Sequence, residues 1–329
     1  MSNELKYQRI IQAALAEPWA ILPSKLAVIQ QLIAFRAEGG QLSEEEIKAR
    51  IGEPRSDAMK KVARSGKHPS TRSEGQPQQQ TGGAVAILPL LGTIIPRANL
   101  MSEMSGGTSV QRFTNNLRQA LRDPDVASIV IDVDSPGGQV GGVPELADEI
   151  YQSRGDKRIV AVANTLAASA AYWIGSAADE LVVTPSGEVG SVGVVAMHED
   201  WSKFLEEKGV KVTFIHAGEH KVEGNAYEPL DDEAKAFFQS RVDDYYGMFV
   251  DAVARGRGVS PATVKADFGQ GRTFGGREAV RLGMADRIET LDAVVDRLLT
   301  PSQPPPGRGR GRSASAELRK RRLRLHENS

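Results

Sequence analysis

The two residues best suited to do chemistry are a serine and a lysine that stand fifty-two positions apart. Ser169 lies among alanines in residues 164–173, and Lys221 lies between Glu219 and Glu223. Small neighbours let a substrate backbone approach, and the start of a helix favours a developing negative charge on the serine oxygen. Each residue alone also has an ordinary interpretation, because serine hydroxyls often bond local backbone and lysines are usually solvated surface charges.

Two glycine-rich segments could position a substrate around the serine. Residues 132–142 read DVDSPGGQVGG, directly after a β-branched run, and include Gly137 and Gly138. A strand that ends in such a turn aims free N–H groups into the crevice at its carboxyl end, where an oxyanion could bind. A plain strand-to-helix turn is the alternative. The second segment, residues 190–195, reads GSVGVV and includes Ser191.

The order and spacing of these segments resemble the signal peptide peptidase A family and its phage relatives, the head-maturation proteases. The resemblance covers residues 84–290 and rests on five ordered motifs: DSPGG, AASAAYW, GSVGV, the lysine, and FGGREAVRLGMAD at 274–286. It implies the ClpP/crotonase type of α/β fold and a serine endopeptidase. The alanines after the nucleophile, where signal peptide peptidases often have glycines, favour the phage branch.

The resemblance also implies a role for each residue of the site. The serine would attack the scissile carbonyl, the lysine would take its proton, and Ser191 would orient the lysine. Backbone N–H groups would hold the oxyanion. The implied oxyanion-hole residues are Gly138 and Ala170, with Gly137 beside them.

A lysine acts as a base only if its surroundings change its pKa. An ammonium at its reference pKa of about 10.4 cannot accept a proton, so Lys221 must be desolvated, and Glu219 and Glu223 must point away from it. The alternative base is His198, because related ClpP proteases use a Ser-His-Asp triad. His220 is expected to be a supporting or surface residue.

Hydrophobic patterning predicts the elements that carry these residues. From residue 84 onward, β-branched runs alternate with helical patterns, which predicts a largely parallel sheet covered by helices. The predicted strands are 84–91, 128–133, 158–163, 181–184, 192–197 and 212–216. The predicted helices include 143–151, 168–177 and a long helix that Asp231 and Asp232 open and Gly256 and Gly258 end. The uncharged run 159–178 is long enough to cross a membrane, but its composition predicts a strand, a turn and a helix.

Composition divides the 329 residues into four parts. The pattern of residues 1–64 predicts a small helical element. Leu26, Ile29 and Ile33 stand at helical spacing, and Ser43 and Glu46 resemble a capping box. Residues 65–83 have linker composition. Residues 84–299 form the predicted peptidase domain. Residues 300–329 predict a disordered basic tail, since Pro, Gly and Arg cannot build a core.

Charge and motif content restrict the partners. The chain has a net charge of −1 and no cysteine, whereas residues 301–329 alone carry +6. That tail is either a solvated charge run or a contact for nucleic acid or an acidic scaffold. No secretory leader is recognised, and no motif predicts ATP, metal or nicotinamide binding, so no cofactor is expected.

The expected partners are proteins. The resemblance implies capsid, scaffold or portal chains as substrates, self-cleavage near the termini, a homo-oligomer, no membrane, and a location in the host cytoplasm or a prohead. Three rival functions are a bacterial signal peptide peptidase, an enoyl-CoA hydratase-like enzyme, and a non-catalytic capsid-assembly protein on the same fold. The presence of both Ser169 and Lys221 argues against the last two.

Overall fold

A computed structural model describes residues 18–27, 29, 31, 58–63, 83–97 and 107–300. The predicted capping box, nearly all of the predicted linker and the predicted basic tail lie outside these residues. The strands are β1 (Trp19–Ile21), β2 (Lys60–Val62), β3 (Ala84–Leu91), β4 (Ile94–Ile95), β5 (Thr108–Ser109), β6 (Val126–Ser135), β7 (Gly137–Gln139), β8 (Arg158–Ala168), β9 (Glu180–Val183), β10 (Glu188–Gly190), β11 (Thr273–Gly275) and β12 (Arg287–Ile288). The helices are α1 (Val110–Arg122), α2 (Val143–Gln152), α3 (Ala170–Ser176), α4 (Ser202–Glu207), α5 (Asp232–Arg257), α6 (Pro261–Asp267), α7 (Gly276–Arg281) and α8 (Leu291–Leu299).

The larger sheet has a parallel centre. Strands β3, β6 and β8 lie side by side in parallel. The first half of β8 pairs with β9 and its second half pairs with β10, both in parallel. The antiparallel strands β2 and β11 lie at the two ends of the strand order. Residues of β6 and β8 are buried toward both faces, which explains their nearly continuous apolar sequences.

Helices cover both faces of this sheet. On one face, α1 buries the side chains of Val110, Phe113 and Leu117, and α3 is buried at every residue. On the other face, α8 packs Val294 and Val295 onto a layer of strand valines. The predicted α/β class with a largely parallel, helix-covered sheet is confirmed.

A smaller sheet of four short strands, in the order β1-β7-β4-β5, lies next to the carboxyl end of β6. Strand β7 follows β6 after one residue, Pro136, which lacks the N–H needed to continue the ladder. β7 pairs with β4 in parallel on one side and with β1 in antiparallel on the other.

The uncharged run 159–178 divides as predicted into a strand and a helix, β8 and α3, with Ser169 between them. No helix among the described ranges combines the length and the apolar character that a bilayer crossing requires. The strand is longer than predicted, since it continues from residue 163 to Ala168.

Two predicted strands are wrong. Residues 192–197 contribute only one isolated bridge, from Val195 to Trp19, and residues 212–216 form no strand. Within the described ranges the β-branched residues of 212–216 have no neighbouring strand to pair with, and Ile215 is fully exposed. Conversely, β1 and β2 lie in the part of the chain where only helices were predicted, although residues 23–27 are helical.

The predicted long helix is present as α5. The Asp231 carboxylate accepts a hydrogen bond from the Ala234 N–H at its start, and Gly258 ends it in a left-handed conformation. Gly256 lies inside the helix rather than at its end. A β-carbon there would lie 2.3 Å from the Ser176 carbonyl oxygen, so this glycine lets α5 approach α3. The buried side chains of α5, apart from Ala234, lie in its carboxyl half, and its amino half is largely exposed.

Candidate active site

Ser169 lies at the sharp junction between β8 and α3. Its backbone has φ 56° and ψ −120°, an uncommon conformation for a residue with a side chain, and it is 1% exposed. The first hydrogen bond inside the helix runs from the Trp173 N–H to the Ser169 carbonyl, so the Ala170 N–H has no partner within the helix. A strained residue held by surrounding structure is a mark of functional sites.

The GSVGVV segment fixes the serine from one side. The Ser169 N–H donates to the Gly190 carbonyl at 2.7 Å, and its hydroxyl lies 3.4 Å from the Gly193 carbonyl. Ser191 also has a positive φ, 55°, and is held by a 2.7 Å bond from its N–H to the Arg272 carbonyl. Of the three non-glycine residues with positive φ in the described ranges, two are therefore predicted site residues.

The two glycines of β7 lie on the other side of the serine. A β-carbon on Gly137 would lie 3.0 Å from the Ser169 β-carbon, and one on Gly138 would lie 1.9 Å from the Ile94 carbonyl oxygen. Side chains at these positions would collide with neighbouring backbone. The Gly137 N–H donates to the Ser135 hydroxyl at 3.2 Å, which leaves the Gly138 N–H as the better oxyanion donor of the two.

The structure does not bring Lys221 to Ser169 within one chain. Lys221 is exposed, and its N–H bonds the Gly218 carbonyl in a turn. Among the described residues its ammonium makes no hydrogen bond to Ser169 or to Ser191. Glu219 is exposed, as predicted, but Glu223 faces His220, with 3.7 Å between the His220 Nδ1 and the carboxylate.

Neither His198 nor His220 forms a hydrogen bond with Ser169 in the described part of the chain. The Nε2 atom of His198 lies 3.0 Å from the Asn225 carbonyl, and its ring forms part of a neighbouring cavity of about 680 Å³. The cavity is bounded by residues 194–199, residues 223–226 and the amino half of α5, and Pro18 is also in its wall.

Sequence reasoning missed the strand β1 and its place beside the serine. Trp19 exchanges backbone hydrogen bonds with Val195, and β1 pairs along β7. Three residues are too few to show the alternation of a strand. The only signal was the apolar stretch WAIL between Pro18 and Pro23, which marks a short segment without indicating its partner.

Together, the parallel sheet, the serine at the strand-to-helix junction and the facing glycine strand define an α/β protein with the arrangement of a serine hydrolase. Residues 152–303 match the model of Peptidase family S49. This match agrees with the resemblance inferred from the motifs.

Curated relatives include phage and bacterial proteins. Capsid assembly protease C of Escherichia phage lambda is 35% identical over 239 residues, which cover 72% of this chain and 54% of that protein. Head-tail preconnector protein GP5 of Enterobacteria phage P21 is 32% identical, with 87% and 56% covered. Putative signal peptide peptidase SppA of Enterococcus faecium is 30% identical, with 57% and 55% covered. The chain thus spans just over half the length of these relatives.

Proposed function

We propose that the chain is a serine endopeptidase in which Ser169 is the nucleophile. The observation that carries this is the position of Ser169, buried and held at positive φ between a glycine strand and the first turn of α3. The match of residues 152–303 to Peptidase family S49 supports the reaction class, hydrolysis of peptide bonds.

The reaction follows from the groups around the serine. A base removes the hydroxyl proton, and the serine oxygen attacks the scissile carbonyl. The negative charge that develops on the carbonyl oxygen is held by the N–H groups of Gly138 and Ala170. The intermediate collapses, the amine leaves with the proton, and water then hydrolyses the acyl-enzyme. The Gly193 carbonyl keeps the resting hydroxyl in place.

The proposed base is Lys221, and a second copy of the chain brings it into the site. A lysine must be desolvated to accept a proton near neutral pH, yet Lys221 is exposed in one chain. Docking against another copy would bury it and place it by that copy's serine. Ser191 is proposed to orient the incoming ammonium, since it is buried and held at positive φ in the segment that fixes the Ser169 N–H.

Apolar side chains around the lysine support this homo-oligomer. In the segment that leads to Lys221, Val210, Val212 and Ile215 are exposed, and on α5 so are Phe237 and Met248. Large exposed apolar side chains gathered on one segment and an adjacent helix mark protein contacts. The same contact would therefore cover these side chains and desolvate the lysine.

The proposed substrates are structural proteins of a phage head. The names of the lambda and P21 relatives, a capsid assembly protease and a head-tail preconnector, support capsid, scaffold or portal chains and a location in the prohead. The Enterococcus relative supports the second candidate, cleavage of signal peptides. The basic tail is proposed to bind an acidic scaffold or nucleic acid.

A cleavage assay tests the function and separates the two substrate classes. Wild type, Ser169→Ala and His198→Ala are incubated with an unfolded model protein, the co-encoded capsid and scaffold proteins, and synthetic signal peptides. We expect wild type and His198→Ala to cut the capsid or scaffold chains and Ser169→Ala to cut nothing. Cleavage confined to signal peptides would favour the second candidate, and equal cleavage by Ser169→Ala would exclude this nucleophile.

A further inference from the structure

Residues 18–22 of the chain lie in the position that a peptide substrate would take beside Ser169. They run antiparallel to β7, with Ala20 opposite Gly138. Backbone bonds from Leu22 N–H to the Pro136 carbonyl, 3.0 Å, and from Val140 N–H to the Pro18 carbonyl, 3.3 Å, extend this pairing at both ends. The segment is therefore held as an added strand along its whole length.

The register puts one carbonyl at the proposed oxyanion donor. In antiparallel strands, hydrogen-bonded pairs recur at every second residue. Since the Leu22 and Val140 bonds lie two positions to either side, Ala20 and Gly138 also form a hydrogen-bonded pair, and the Gly138 N–H donates to the Ala20 carbonyl. A β-carbon placed on Gly137 would lie 2.2 Å from the Ala20 carbonyl oxygen and 3.0 Å from the Ser169 β-carbon. The carbonyl oxygen and the serine are therefore close neighbours. Nucleophile, donor and carbonyl thus meet at one place.

The opposite edge of the segment is paired as well. The Trp19 N–H donates to the Val195 carbonyl at 2.9 Å, and the Val195 N–H donates to the Trp19 carbonyl at 2.8 Å. Trp19, Ala20 and Ile21 are all at least 96% buried. The segment thus fills a slot between β7 and Val195, and in this state no other extended peptide can enter it.

We propose that residues 18–22 are the protein's own first substrate, and that Ser169 cleaves the bond between Ala20 and Ile21. This inference rests on the proposed peptidase function and adds a site and a specificity to it. Until the strand is cut and leaves, it keeps the peptidase latent.

Cleavage of this bond requires no co-reactant other than water. The Ser169 oxygen bonds the Ala20 carbonyl carbon while its proton passes to the base. The bond from Ala20 to the Ile21 nitrogen breaks, and that nitrogen takes the proton and becomes the amino terminus of residues 21–329. Water then hydrolyses the Ala20 ester and releases residues 1–20 with a carboxylate end.

The slot also sets a specificity for later substrates. Ala20 is fully buried, so the position whose carbonyl faces Gly138 has room for a small side chain only. The two neighbouring positions hold the large apolar side chains of Trp19 and Ile21. Peptides with a small residue flanked by apolar ones are therefore the class that fits.

The test is intact mass and amino-terminal sequencing of the purified full chain during incubation, alongside cleavage of unfolded casein. The variants are Ser169→Ala and Ala20→Phe, with Ala27→Phe as the matched control, since Ala27 is exposed outside the slot. We expect wild type and Ala27→Phe to yield a chain that begins at Ile21. We expect Ser169→Ala and Ala20→Phe, checked for folding by thermal unfolding, to remain uncut there.

Each other result has one meaning. If wild type digests casein but its own bond between residues 20 and 21 stays intact, the inference is wrong and the peptidase function stands. The same holds if Ala20→Phe is cut at this bond as fast as wild type. If wild type cuts neither casein nor itself, the proposed peptidase function fails and the inference fails with it.

Discussion

The surroundings of Ser169 and of Lys221 are built in opposite ways. The serine is buried, its N–H is fixed by Gly190, and backbone from three strands surrounds it. The lysine lies in a stretch without helix or strand, residues 208–231, with its side chain exposed. The nucleophile half of the proposed site is therefore built within one chain, whereas the proposed base, Lys221, would acquire its environment only by association with a second copy.

The largest expected effect comes from removing the nucleophile. Ser169→Ala should lower kcat/KM for peptide cleavage by about 10⁶-fold, because in the proposed mechanism the acyl-enzyme forms on the Ser169 oxygen. The melting temperature should stay close to that of wild type, since alanine removes only a hydroxyl with a long 3.4 Å contact. Steady-state cleavage and calorimetry measure the two quantities, and a residual rate near wild type would place the nucleophile elsewhere.

Removing the base should lower activity without disturbing the fold. Lys221→Ala should reduce kcat by about 10³-fold, the size of a lost general base, and should leave thermal unfolding unchanged because the side chain is exposed. Lys211→Ala is the matched control, an exposed lysine of the same segment, and should keep full activity. Normal cleavage by Lys221→Ala would exclude the dyad.

A side chain on the glycine strand should damage both stability and catalysis. Gly138→Ala places a β-carbon 1.9 Å from the Ile94 carbonyl oxygen. Because the colliding atom belongs to the backbone of Ile94, relieving the clash requires the strand itself to shift. We expect a loss of about 3 kcal/mol in the free energy of unfolding, together with lower kcat. Gly247→Ala, where a β-carbon meets open space, should be neutral or stabilising in urea unfolding. Equal stability of the two variants would contradict the close packing at β7.

The pH dependence of stability should report on the sheet that supports the serine. Burial acts to raise the pKa of Glu180, but hydrogen bonds from Arg158 and Arg297 and the nearby charge of Arg287 outweigh it, so its pKa lies below the ordinary range. Its contribution is present above the ordinary glutamate pKa and is lost as the pH falls through the lowered value.

Glu180→Gln should therefore lower the free energy of unfolding by about 2 kcal/mol at neutral pH. It should also make that free energy fall less steeply as the pH is lowered into the acid range. Denaturant unfolding between neutral and acid pH measures both. Glu219→Gln, on an exposed carboxylate of the lysine segment, is the control and should leave the curve unchanged. An acid limb that persists in Glu180→Gln would assign it to other groups.

The smallest expected effect is on association alone. Ile215 is fully exposed, so Ile215→Ser should leave the unfolding of the single chain unchanged while it weakens self-association and, through it, cleavage at low protein concentration. Analytical ultracentrifugation and activity against concentration measure this. Unchanged association would remove Ile215 from the proposed contact.

The contrast between the two regions also explains what the sequence could predict. The buried strands β6 and β8 and the helix α3 are long apolar elements whose patterning matches their burial, so the serine, the glycines and their order along the chain could be placed. Residues 212–216 have the composition of a strand but pair with no strand among the described residues. Strand β1 is too short to show a pattern, and its pairing with β7 joins residues more than one hundred positions apart.

The most direct test of the account is to mix the two inactive variants. Ser169→Ala keeps the lysine and Lys221→Ala keeps the serine, so a site built from two copies regains both groups when the chains are unfolded together and co-refolded. Cleavage of unfolded casein should then return in the mixture, although each variant alone is inactive. If both variants fold and associate yet the mixture remains inactive, Lys221 does not act across the contact between copies, and the account is wrong.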